Sequence, residues 1–200
     1  MTHSQLDRPW TDDQPASDAD LIAASHTDGE AFAGLFDRHS AIVFRYVVRR
    51  LGVELAEDLV GETFLVAFAG RHRFDPAYSD ARPWLLGIAT KLISRHRRTE
   101  AAHYRAVARS RPDVVVEAPD ERVAIDVSAA AARPRLAAAL ASLPARDRDV
   151  LLLVGWAELS YEETATALGI PIGTVRSRLN RARRTVRAAL GQTNPLDDKE

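Results

Sequence analysis

Residues Ser160–Arg187 read SYEETATALGIPIGTVRSRLNRARRTVR, and the reading of this stretch decides the fold. Ser160 and Glu163 have the Ser-x-x-Glu spacing of a capping box, in which each side chain satisfies a free backbone N–H at a helix start. Tyr161, Thr164, Ala165 and Leu168 then share one helical face, and Gly169 supplies the backbone freedom that ends the helix. Pro171 and Gly173 mark a turn and the entry to a second helix. In that helix Val175, Leu179, Ala182 and Val186 form the stripe to be buried, while Thr174, Arg176, Ser177, Arg178, Asn180, Arg181 and Arg184 lie on the rest of its surface. A short capped helix, a tight turn and a second helix rich in Arg, Asn, Ser and Thr is the build of a helix-turn-helix that enters a DNA major groove. Arginine pairs bidentately with guanine edges, and further arginines neutralise phosphates. Pro171–Arg187 carries six arginines and no acid, an unusual balance for an ordinary solvated amphipathic helix.

Outward from this stretch the chain has 200 residues, enough for one domain or two small ones. Its net charge of −1 conceals an uneven distribution, with acidic ends and arginines gathered in a few helices. For nucleic-acid binding that distribution counts for more than the sum. With no cysteine there is neither a disulfide nor a thiolate metal site to expect. The histidines (His3, His26, His39, His72, His96 and His103) have no zinc-type spacing, so no metal and no cofactor is expected. Gly-x-Ser-x-Gly, P-loop and paired-carboxylate patterns are absent, which argues against an enzyme. The amino terminus lacks the basic region and apolar core of a signal peptide, and no apolar run reaches the about 20 residues that a bilayer requires. The expectation is a soluble cytoplasmic protein without membrane insertion.

Apolar residues recur at helical rather than alternating spacing, which predicts an all-α chain of two small helical bundles joined by a flexible linker, the C-terminal one containing the helix-turn-helix. Residues 1–17 form a polar, proline-bearing extension expected to be disordered, and 18–104 the first bundle. There, Phe32, Leu35, Phe36, His39, Ile42, Val43, Tyr46 and Val47 define one face, closed by Gly52. Ala56, Leu59, Val60, Thr63, Phe64, Ala67 and Phe68 define a second. A third helix starts at Arg82-Pro83, where proline suits the first turn, and carries Leu85, Ile88, Ala89, Leu92 and Ile93 inward. Residues 105–133 lose the helical period and read as linker, with Val114–Val116 a weak strand candidate. Residues 134–190 form the second bundle, with Leu136, Leu140 and Leu143 on one helix and Val150, Leu151 and Val154 on the next; 191–200 are a tail. Blocks this small are marginal alone, and two independently folded lobes are expected.

The first bundle has chemistry of its own. Asp58, Glu62 and Leu65 align on the second helix away from its apolar stripe, an acidic face with an exposed leucine that suits a basic helical partner or a simple solvated surface. Trp84, Lys91, Arg95 and Arg98 share a side of the third helix. An aromatic beside cations suits single-stranded or melted DNA, although a tryptophan is also a common core residue. The connection RHRFDPAYSDAR, from Arg71 through Arg73 to Arg82, has the composition of a loop that holds an extruded base and equally of one that merely connects.

Four segments together, AEDLVGETF (Ala56–Phe64), RPWLLGIATKLISRHRR (Arg82–Arg98), LPARDRDVLLL (Leu143–Leu153) and SYEETATALGIPIGTVRSRLNRAR (Ser160–Arg183), resemble an extracytoplasmic-function (ECF) sigma factor, the promoter-recognition subunit of bacterial RNA polymerase. The resemblance implies that 18–104 is sigma region 2 and 134–190 is sigma region 4. It implies that Asp58, Glu62 and Leu65 dock on core RNA polymerase. Arg71, Arg73, Trp84, Lys91, Arg95 and Arg98 would meet the minus-ten element of promoter DNA, and Thr174, Arg176, Ser177, Arg178 and Arg181 would read the minus-thirty-five element. It further implies an anti-sigma factor as regulatory partner. Gly61 departs from the family pattern, which usually has glutamine there. A stand-alone helix-turn-helix regulator acting as a homodimer is the alternative reading, one that leaves the acidic and basic faces of the first bundle without a task.

Overall fold

The computed structural model describes residues 16–109 and 127–191, with side chains in the second segment from Arg133 onward. The expected N-terminal extension up to residue 15, the strand candidate at Val114–Val116, the central linker and the tail beyond residue 191 lie outside the described residues. Among those described, the regular structure is helical. Helix α1 (Asp18–Ala24) starts in a capping box between Ser17 and Asp20. A 3-10 turn at Gly29–Phe32 leads into α2 (Ala33–Leu51), which Gly52 ends at φ 88°, a backbone conformation that glycine adopts without strain. Helix α3 (Ala56–Gly70) buries Leu59, Val60, Thr63, Phe64 and Ala67, the stripe expected from spacing. After a 3-10 turn at Arg71–Arg73, α4 (Arg82–Ile93) carries Pro83 in its first turn.

The sequence pattern predicts one helix from Arg82 to Arg98, but the structure interrupts it with a 3-10 turn at Ser94–His96 before α5 (Arg97–Arg109). The Ser94 hydroxyl donates back to the Lys91 carbonyl at 2.7 Å, a local bond that competes with continuing the helix. The second bundle comprises α6 (Val127–Ser142), α7 (Ala145–Gly155), α8 (Tyr161–Leu168) and α9 (Ile172–Ala189). Helix therefore extends into both ends of the segment expected to be linker. α6 begins before Pro134 and passes through it; the alanine run 129–132, the best helix-forming residue type, offsets the amide that proline lacks.

The two bundles share a core instead of folding apart. One continuous apolar cluster joins Leu35, Val43, Leu85 and Ile93 of the first to Leu140, Leu153, Leu159 and Ala167 of the second. α5 packs along α6, and α4 packs on α8. Val150, Val175 and Leu179 form a smaller cluster inside the second bundle that fixes the helix-turn-helix. Blocks this small are marginally stable alone, and packing them together adds to the burial of each.

Asp18 ties the start of the chain to this core. Its carboxylate accepts from Arg38 Nη1 at 3.0 Å and from the Ala81 N–H at 2.8 Å, and meets His39 Nε2 at 2.6 Å. Burial pushes the Asp18 pKa up, but the bonds from the Ala81 amide and from His39 and Arg38 outweigh it and hold the carboxyl below its usual 3.8. A depressed folded pKa gives stability that is present above the unfolded value and is lost as pH falls through the folded one. Asp18→Asn is therefore expected to cost about 1.5–3 kcal/mol at neutral pH, near the strength of hydrogen bonds to charged groups. Thermal unfolding of both proteins from pH 7 to pH 2 checks this. The gap should narrow once the pH drops below the ordinary carboxylate range, and a constant gap would contradict it.

Candidate nucleic-acid interface

The helix-turn-helix forms as its spacing dictates. Ser160 Oγ accepts from the Glu163 N–H at 3.1 Å, Glu163 Oε2 accepts from the Ser160 N–H at 2.7 Å, and Gly169 turns the chain in the left-handed region at φ 64°. α9 then presents its cationic side. Arg176 and Ser177 are exposed, and Thr174 and Arg178 half-buried. Ser177 spends its hydroxyl on the Thr174 carbonyl at 3.0 Å. Arg181 is gripped by Asp147 of α7, Nε to Oδ2 at 2.5 Å and Nη2 to Oδ1 at 2.9 Å. Asp147 is itself 2% exposed, so this bidentate pair pins α7 to α9 and ties up an arginine grouped by sequence with the free ones. A shallow groove of about 270 Å³ runs along α9 past Tyr161, Arg176, Asn180 and Arg183 to Arg187. Arg176, Asn180, Arg183 and Arg187 follow three- and four-residue steps and form a single stripe. Of these, Asn180, Arg183 and Arg187 were not among the sequence candidates, although their spacing from Arg176 is visible in the chain.

Between α3 and α4 lies a second groove, of about 540 Å³, lined by Val66, His72, Arg73, Trp84, Lys91 and Arg95 among others. It gathers four of the six residues expected to meet melted DNA. Trp84 is half-buried and packs on Phe74 with ring centroids 5.2 Å apart, so it is both a packing residue and a groove wall. Arg71 is occupied locally: it lies 4.1 Å from the Phe68 ring centroid and donates Nη1 to the Phe68 carbonyl at 2.7 Å. Arg98, beyond the 3-10 turn, stands at the start of α5 instead of continuing the α4 stripe.

On the outer side of α3, Asp58 is exposed and Leu65 is 71% exposed, with Val66 beside it. Glu62 pairs with Arg95 at 2.8 Å, linking the acidic face to the wall of the groove. A Cβ added at Gly61 would meet nothing within 4 Å, so glycine is not required there by space. A possible metal-ligating group among the described residues is Asp18, His39 and Asp80. The Asp18 carboxylate is already satisfied by Arg38, His39 and the Ala81 amide, and the Arg38 charge opposes a cation, so the group is a structural tie.

Two family models match the chain: Sigma-70 region 2 over residues 35–103 and Sigma-70 region 4 over residues 133–186. The ECF RNA polymerase sigma factor SigL of Mycobacterium tuberculosis is 34% identical over 86% of this chain and 96% of its own length. The ECF factor SigC of the same organism is 32% identical over 86% of this chain and 89% of its own. The chain is an ECF sigma factor.

Solved structures agree in fold. The chain resembles CnrH in complex with the cytosolic domain of CnrY at TM-score 0.61 and 25% identity, over 88% of this chain and 99% of that one. It also resembles the sigma factor RpoE of Bartonella quintana in complex with the anti-sigma factor NepR at TM-score 0.57 and 24% identity, over 82% and 98%. The sigma factor thus binds core RNA polymerase and promoter DNA, and the stand-alone regulator reading gives way. No helix among its described residues is long and apolar enough to cross a membrane.

Proposed function

We propose that this sigma factor divides its work among three surfaces and performs no bond chemistry. The outer face of α3, with Asp58, Glu62 and Leu65, docks on core RNA polymerase in the cytoplasm. The groove between α3 and α4, with the 71–82 connection, receives the opened minus-ten strand. There Arg73, Lys91 and Arg95 meet phosphates, and Trp84 offers a ring to a base. The arginine stripe of α9 enters the major groove at the minus-thirty-five element. Opening a few base pairs costs about 1.4 kcal/mol per stacking step, and base stacking on protein rings returns about 1–3 kcal/mol per base. The balance comes from polymerase contacts, which is why the factor works within a holoenzyme. An anti-sigma partner fits the same surfaces, a reading supported by the RpoE neighbour, a sigma factor in complex with the anti-sigma factor NepR.

The observation that carries this reading is the pairing, in one chain, of a cationic aromatic groove with a capped helix-turn-helix whose Arg176 is exposed. Arg176→Ala and Arg178→Ala test it, with binding measured on upstream-element duplexes over a salt series. A base-reading arginine is expected to lose about 1–3 kcal/mol of discrimination at one position. A phosphate contact weakens all sequences alike and lowers the salt slope by about one. Unchanged binding by both variants would overturn the assignment of α9.

A further inference from the structure

Arg50, at the end of α2, is fully committed. It donates through Nε to Glu100 Oε1 at 2.7 Å and through Nη2 to Asp149 Oδ1 at 2.6 Å. Arg148 of α7 donates through Nη2 to Glu100 Oε2 at 2.9 Å. Arg50 and Glu100 are each 1% exposed, so these charges balance in a buried seam between the bundles. Two other arginines of α2 have no such partners. Arg45 and Arg49 are exposed, and neither belongs to an ion pair among the described residues. They stand four residues apart on one face of the helix, where like charges repel each other and weaken it.

That face, with Ile42, Arg45, Tyr46 and Arg49, lines a recess of about 190 Å³ together with Arg82 at the start of α4 and Trp156, Ala157 and Glu158 between α7 and α8. The Tyr46 hydroxyl is already bonded to Thr90 and Arg50, so Tyr46 is a wall and not a donor. Arg49 Cζ lies 5.7 Å from the Trp156 ring centroid, a stacking that orients the guanidinium and leaves its edge N–H groups to donate. Arg82 supplies a third guanidinium. Its charge is shared with Asp80 at 3.5 Å and Glu163 at 3.9 Å, yet its Nε is shut off from solvent and makes no hydrogen bond. A buried N–H without an acceptor is costly, and a bound anion removes that cost. The opposing group is Glu158, an exposed carboxylate that Arg45 and Arg49 together outweigh. Its φ of 55° is a conformation that non-glycine residues seldom hold, and residues held so tend to cluster at functional sites.

We propose that this recess is a binding site for a small phosphate-bearing anion, held by Arg45, Arg49 and the free Nε of Arg82. Planar guanidiniums pair bidentately with phosphate oxygens, which suits them to this ligand better than lysines would be. Size narrows the choice. Pockets that enclose a drug-sized molecule have about 300–1,000 Å³, so this one takes a phosphate or diphosphate group and leaves any attached nucleoside outside. Free phosphate, free pyrophosphate and the tail of a nucleoside triphosphate share that chemistry. The site is distinct from the surfaces assigned to DNA: its lining has no residue in common with the α3–α4 groove or with the groove along α9.

The test is a calorimetric titration of inorganic pyrophosphate into the full chain and into its Arg45→Ala, Arg49→Ala and Glu158→Gln variants. The unaltered chain is expected to bind one equivalent with Kd below about 1 mM. Each arginine variant should bind about tenfold more weakly, the loss of one charge-assisted bond. Both positions are exposed and alanine is the better helix former, so helical content should not change. Glu158→Gln removes the opposing charge and should tighten binding about two- to fivefold, a gain that misfolding cannot produce. Inorganic phosphate and a nucleoside triphosphate, titrated in parallel, separate the sources. A triphosphate as tight as pyrophosphate points to a nucleotide tail, and a weaker one to the free anion. No saturable binding, arginine variants that match the unaltered chain, or weaker binding by Glu158→Gln would each overturn the proposal. So would binding lost in Arg176→Ala but kept in Arg45→Ala, which places the anion on α9. If Arg45→Ala lowers affinity for a random-sequence DNA single strand while pyrophosphate does not bind, the face is a nucleic-acid contact and the small-anion site falls.

Discussion

Asp58→Arg and Leu65→Glu are expected to weaken binding to core RNA polymerase by about thirtyfold or more each, the scale of an interface hot spot near 2 kcal/mol. Both side chains are exposed on α3, so the fold should survive both changes, Asp58→Arg costing about 0.3–1 kcal/mol because it places a cation in the first turn of the helix. Glu62 is a less clean probe, because reversing its charge also breaks the pair with Arg95 across the groove. Binding of upstream duplex by the same variants serves as the control and should be unaffected. Equal polymerase affinity in both variants and the parent chain would remove α3 as the docking face. Gly61 lies on the same helix, where a larger side chain would find open space, so its effect on docking is a matter of lost contact area and helix propensity rather than of steric fit.

The second large effect concerns stability. Arg50→Ala leaves Glu100 and Asp149 with one guanidinium between them in a buried seam, and is expected to cost about 3–5 kcal/mol. At about 2–4 °C per kcal/mol for a chain of this size, melting should fall by about 6–20 °C. Glu100→Gln unbalances the seam in the opposite sense. The Arg50→Ala, Glu100→Gln double variant should lose less than the sum of the two, by about 0.5–3 kcal/mol, because each removes the other's unpaired charge. Additive losses would show that the two residues stabilise the chain separately.

The sequence carried the helices whose information is local. The α3 stripe, Pro83 in the first turn of α4, the Ser160–Glu163 box and the Gly169 turn all depend on residues within a few positions, and the structure matches them. The break at Ser94 escaped because the basic residues Lys91, Arg95 and Arg98 run through it at helical spacing, and only a hydroxyl bonded to Lys91 betrays the turn. Union of the bundles was also invisible in the chain. It depends on Arg50 meeting Asp149 and on Gly87 meeting Ala167, partners far apart in sequence, the first pair drawn from residue types that normally face water. Arg181 illustrates the same limit within one bundle. Its position on α9 matches that of a DNA contact, yet Asp147 holds it, and nothing in residues 174–187 signals the carboxylate waiting on α7. The α3–α4 groove was half legible. Trp84, Lys91 and Arg95 declared themselves by spacing, while Val66 and His72 joined them only through tertiary packing.

The most direct measurement is reconstituted transcription, with the purified chain added to sigma-free core RNA polymerase and a library of promoter fragments. The expected result is new transcripts whose templates share an upstream and a downstream motif at fixed spacing, with the upstream motif lost in Arg176→Ala. Absence of transcripts together with absence of core binding would contradict the assignment of this chain's surfaces.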